Sequence, residues 1–176
     1  MTHIAAKLAL VSLAGGALFF AYRTDNQIVD NAKIAVGLET EAETVSSSDK
    51  TIAATNNNPV NIRGGGDNWV GLANPKVVKG FYNFTKPEYC YRAAGITILK
   101  SYTARGVDTV SEIINTWAPP HENKTADYVK FVAGKMGVTP DTKVSSKNIV
   151  DLLYAMTIIE SGKAISKSVI EKGLAL

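Results

Sequence analysis

Two glutamates hold most of the chemical promise in this sequence. Glu160 lies in Ile158-Ile159-Glu160-Ser161-Gly162, and Glu122 in Trp117-Ala118-Pro119-Pro120-His121-Glu122-Asn123. Glu160 closes an apolar helical stretch. A carboxylate set behind two isoleucines is partly desolvated, which raises its pKa and suits a general acid. Fully in water, it would be an ordinary helix-end glutamate. Glu122 follows a rigid Pro-Pro. It serves either as a second carboxylate or as a favourable negative charge at a helix N-terminus. Carboxylates in this role are the equipment of glycan cleavage. Other chemistries lack their parts. His3 and His121 are far apart and Cys90 has no partner, so neither a metal nor another cofactor is expected. Gly64-Gly65-Gly66 lacks the strand, helix and lysine of a phosphate loop and reads as a turn. No serine sits in a nucleophile elbow.

Polar loops surround these candidates. Asn56-Asn57-Asn58-Pro59-Val60-Asn61-Ile62-Arg63 is dense in turn formers. Asn57, Asn58 and Asn61 have two uses: bonding N-acetyl groups of a glycan, or bonding their own backbone. Arg63 is placed to hold Glu122 or Glu160 in an ion pair. Trp69 and Tyr82 either stack on sugar rings or fill the core. Asp67 is a further carboxylate within reach of the same loops. Trp117 and Cys90 read as core residues, Cys90 as a small buried hydrophobe.

The elements that position these residues follow from composition and period. A chain of 176 residues allows one domain with an appendage. A hydrophobic content of 45% suffices to pack it. The balance of 19 basic against 16 acidic residues, net +3, is too even to argue for a nucleic-acid partner. A single cysteine excludes an intrachain disulfide.

Residues 4–22 are almost wholly apolar, with Lys7 the single charge. As a helix they rise roughly 28 Å, close to the thickness of a bilayer core. Phe19, Phe20, Tyr22 and Arg23 then suit an interfacial anchor. A cleavable signal is the rival reading, but Phe20-Ala21-Tyr22-Arg23 is a poor cleavage site. The expectation is an anchor over 1–24 that contacts the lipid bilayer through 4–22. A flexible polar tether over 25–55 follows, with a short helix near 27–38, and then a globular domain over 56–176.

Within that domain, turn signals crowd 57–80 and predict irregular structure with a short hairpin through 69–71 and 80–84. Thr85, Pro87 and Glu88 look like a helix start. Helices are predicted over 88–105, stopped by Gly106, and through 110–117, capped by Asp108 or Thr109. Others follow over 123–136, stopped by Gly137, then after Ser145-Ser146 through Ile159, and over 167–172. The fold class is mainly α with a minor irregular or β patch.

The motifs also resemble a known group. The loop at 56–63, a Trp-x-Gly element, Gly80-Phe81, an Arg-Ala-Ala helix and Trp117-Ala118-Pro119-Pro120 with Glu122, Asn123, Thr125 and Tyr128 are similar to a pattern in phage virion-associated, lysozyme-like proteins. Glu160-Ser161-Gly162 resembles the segment that closes the catalytic helix of lytic transglycosylases and goose-type lysozymes. There the glutamate precedes the groove loops, whereas here it follows them, which implies a circularly permuted lysozyme-like domain. Val60 departs from the glycine of the loop pattern. The resemblance implies a membrane-anchored virion protein of an internal-membrane phage, residing in the virion membrane. It would cleave peptidoglycan with Glu160 and Glu122 and bind the glycan strand through Asn57, Asn58, Asn61, Arg63, Trp69 and Tyr82, alongside other virion proteins. With one acid, lytic transglycosylation is the expected route. The alternative is a non-catalytic structural component packed between membrane and capsid. A third is a secreted cell-wall-binding module.

Overall fold

A computed structural model describes residues 51–121 and 124–176. The helices are α1 (Ile52–Thr55), α2 (Pro87–Ile96), α3 (Val110–Trp117), α4 (Thr125–Met136), α5 (Ile149–Ser161) and α6 (Lys167–Leu174). Two antiparallel strands, β1 (Leu72–Val78) and β2 (Phe81–Phe84), precede α2. The helix of α2 continues as a π-helical segment, Thr97–Tyr102, and a 3-10 turn, Thr103–Arg105.

Local chemistry explains the boundaries. Pro87 stands in the first turn of α2, where its missing N–H costs nothing, and Glu88 suits the positive end of the dipole. Thr85 does not cap the helix; Lys86 holds that position, and the Thr85 hydroxyl donates to the Gly71 carbonyl at 3.1 Å. Thr109 opens α3 with a capping box. Its hydroxyl oxygen accepts from Glu112 N–H, and the Glu112 carboxylate accepts from the Thr109 backbone. Those bonds hold the Glu112 carboxyl below the usual carboxylate range. Gly106, Gly137 and Gly162 end their helices in the left-handed conformation that glycine adopts without strain. The start of α5 lies at Asn148, later than Ser145-Ser146 suggests, because the Asn148 side chain folds back to accept from Ser145 N–H.

The helices close around one core. Tyr91, Ile98, Ile113, Ile114, Leu152, Leu153, Met156 and Ile170 are all fully buried. Each aliphatic member contributes about 2 kcal/mol by leaving water. The Tyr91 hydroxyl bonds Thr157 at 2.8 Å, so this deep phenol is not orphaned. α2 lies against α6, α5 against α4 and α6, and α3 against α4. The α2–α6 crossing is close. A Cβ built on Gly173 would meet the Glu88 carbonyl oxygen at 2.5 Å and Tyr91 Cβ at 2.7 Å.

The hairpin turns at Lys79-Gly80, both at positive φ, as a two-residue hairpin of the primed type requires. Register runs Leu72↔Phe84, Val77↔Tyr82 and Val78↔Phe81, with an irregularity between Leu72 and Val77. The expected first arm at 69–71 thus lies slightly later in the chain. β1's outer edge carries Pro75 and Lys76, residues that discourage further pairing. β2's outer edge is covered by the asparagine loop: Tyr82 N–H donates to the Ile62 carbonyl at 3.0 Å and Phe84 N–H to the Asn56 carbonyl at 2.8 Å.

The expected fold class needs correction. The described chain is mainly helical with a two-stranded sheet, but among the described residues no helix is long and apolar enough to cross a membrane. The most apolar of them, α5, has 13 residues and ends at Gly162, short of membrane length. The span predicted over 4–22 lies outside the described residues, as do most of the tether and the helix near 27–38.

Candidate functional site: a carboxylate where three segments meet

Glu160 sits in the last turn of α5 and is partly exposed. Two side chains from elsewhere in the chain reach it. The Tyr128 hydroxyl, from a buried position on α4, donates to one carboxylate oxygen at 3.0 Å. The Asn61 amide donates to the other at 3.0 Å and to the Glu160 backbone carbonyl at 3.1 Å. Both donors favour the ionised form, as does the charge of Arg63. Burial outweighs them and holds Glu160 above the usual carboxylate range. Tyr128, buried beside a carboxylate, is pushed well above the ordinary phenol range and serves as a donor. The arrangement is a carboxyl of fixed orientation, with a donor on each oxygen and the charge of Arg63 acting on it.

The loop that delivers Asn61 is built by its asparagines. Asn58 is fully buried and makes four bonds. Its amide donates to the Ile62 and Tyr82 carbonyls, both at 2.9 Å. Its oxygen accepts from Ile62 N–H at 2.8 Å and from the Cys90 thiol at 3.2 Å. Asn57 donates to the Phe84 carbonyl at 2.9 Å and Asn56 to the Val78 carbonyl at 3.2 Å. Asn57 and Asn61 adopt positive φ, a conformation asparagine tolerates better than most residues other than glycine. Val60, where the resembled pattern has glycine, needs no such conformation. It is fully buried, and its carbonyl accepts from the Trp117 indole N–H at 3.1 Å.

The residues singled out from sequence therefore fall into groups. Glu160, Asn61 and Arg63 converge. Asn57 and Asn58 are bonded within the loop and sheet. Tyr82 is buried, its hydroxyl accepting from Asp67 N–H at 2.9 Å. Trp69 is partly buried, with its indole N–H enclosed. Glu122 lies outside the described residues. Cys90 is buried, and burial pushes its thiol far up, consistent with a core residue. Among the described residues no group of three potential ligands could hold a metal.

Tyr128 was the partner that motif reading gave no role. It shares the inner helical face with Val129 and Val132, and a tyrosine on such a face needs an acceptor for its hydroxyl. That signal was present in the sequence. The Asn61 bond was not, since it spans 99 positions.

Fold and site together define a small, mainly helical domain with one half-buried acid at a three-way junction. No family model matches the chain. Protein P5 of Pseudoalteromonas phage PM2 is 35% identical to it over 111 residues, which is 61% of this chain and 69% of that protein. The chain belongs to the family of that phage protein. Neither comparison shows a lysozyme-like family.

Proposed function

We propose that the chain is a virion component whose helical domain cleaves the glycan strand of peptidoglycan with Glu160 as general acid. The observation that supports it is the Glu160 carboxyl. It carries a raised pKa, is aimed by Tyr128 and Asn61, and is partly open to solvent. Protonated, Glu160 would deliver its proton to the glycosidic oxygen. Arg63 would then stabilise the carboxylate left behind. With a single acid, the sugar's own hydroxyl is the natural nucleophile: its oxygen bonds the anomeric carbon as the glycosidic bond breaks, and its proton returns to the Glu160 carboxylate. A hydrolase would require a second carboxylate to activate water. The products separate the two routes. Mass spectrometry of peptidoglycan digested by the full chain should show anhydro-sugar ends. New reducing ends would instead assign hydrolysis, and undigested strands would remove the enzymatic reading.

One observation favours a second reading, a non-catalytic structural component of the virion. Both Glu160 oxygens already have protein donors, and Asn57, Asn58 and Tyr82 are occupied inside the fold. In that case Glu160 acts as a tie between the loop, α4 and α5. Glu160→Gln, which preserves much of the tie but cannot act as an acid, distinguishes the two.

A further inference from the structure

Tyr82 is buried and the Trp69 indole N–H is enclosed, whereas Trp117 is tied to the loop that carries Asn61. Trp117 is partly exposed at the end of α3, where Pro119 and Pro120 stop the helix from continuing. Its indole N–H is fixed on the Val60 carbonyl. The next residue, Asn61, holds the Glu160 carboxylate. Adjacent Cα atoms lie about 3.8 Å apart, so the indole's anchor and the acid's anchor are neighbours on one loop. Tyr102 meets Trp117 edge-on, with ring centroids 6.4 Å apart and planes at 71°. Arg105 in turn lies over the Tyr102 ring, 5.0 Å from its centroid. Tyr102 ends the π-helical segment of α2's continuation, and π departures from α geometry often mark functional sites.

We infer that Trp117, braced by Tyr102, is the stacking wall on which a pyranose ring of a glycan strand rests beside Glu160. The inference deepens the acid reading above and rests on it. An indole fixed at its polar edge offers a rigid apolar surface at little entropic cost, and the C–H face of a sugar packs on such a surface. The chain from Trp117 through Val60 and Asn61 to Glu160 sets the wall relative to the acid.

The test is cosedimentation of the full chain with purified insoluble peptidoglycan, in a Glu160→Gln background so that no strand is cut. Trp117→Leu should weaken binding about tenfold, the loss of one good aromatic contact, and Tyr102→Leu by less. Trp117→Phe keeps a ring but loses the N–H, and should retain most of the binding. Unchanged binding in Trp117→Leu would overturn the inference. So would equal losses in Trp117→Leu and Trp117→Phe with a matching fall in melting temperature, which would show that the indole's bond to Val60 is all that matters. Absence of binding by the Glu160→Gln chain itself would also overturn it. The acid reading fails separately, if Glu160→Gln cleaves peptidoglycan as fast as the unaltered chain.

Discussion

The loop and hairpin over 56–85 and the helices that follow are held by different forces. In the first, asparagine amides do the joining: Asn56, Asn57 and Asn58 each bond a backbone carbonyl of the hairpin. In the second, apolar side chains pack around Ile113, Leu152 and Met156, and helices approach through Gly173. Glu160 lies where the two meet, with one oxygen bonded from each side: Asn61 from the loop and Tyr128 from the helices. The difference teaches that asparagines in one loop do not share one task. Asn58 spends its amide on the fold, whereas Asn61 spends its own on the acid.

The contrast can be broken first at Asn58. Asn58→Ala removes four bonds and leaves the Tyr82 carbonyl and Ile62 N–H without their partner. A loss of about 3 kcal/mol or more is expected, since several buried groups are orphaned together. Urea unfolding measures it, and a loss under about 1 kcal/mol would mean that the loop does not depend on its amides.

On the helical side, Gly173→Ala should cost about 2 kcal/mol, because the new methyl group meets α2 backbone that cannot move aside. The same substitution at Gly134, whose Cβ would meet nothing, should be neutral or stabilising, since it only restricts the unfolded chain. Equal melting temperatures for the two variants would argue against a close α2–α6 crossing.

The seam itself should show the smallest stability effect, and it is pH-dependent. Burial raises the Glu160 pKa, so the folded chain holds that proton more tightly than the unfolded chain does. Its contribution to stability is present at low pH and is lost as pH rises through the folded value. Melting curves from about pH 4 to 8 should therefore show Glu160→Gln losing less stability with rising pH than the unaltered chain. The opposite slope would mean that Tyr128, Asn61 and Arg63 outweigh burial.

Much of the helical half was legible in the sequence. Gly106, Gly137 and Thr109 mark their boundaries through conformational freedom and capping chemistry that act within a few residues. The desolvation of Glu160 was legible too, forecast by the two isoleucines before it. The partners that orient it were not. Asn61 and Arg63 could be named as candidates, but nothing local tells which asparagine in the run reaches α5, and Tyr128 meets Glu160 only through the packing of α4 on α5. Val60 illustrates the limit from the other side. It departs from the glycine of the resembled pattern, and nothing local in the sequence shows that its side chain is buried in the core.

The most direct test of the central claim is the rate at which the full chain clears purified peptidoglycan, measured beside Glu160→Gln at matched folded concentration. The account predicts clearing by the unaltered chain and at least about a hundredfold loss in the variant, the usual contribution of a general acid. Equal clearing by both, or none from a fully folded unaltered chain, would contradict it and leave Glu160 as a tie between the loop and the helices.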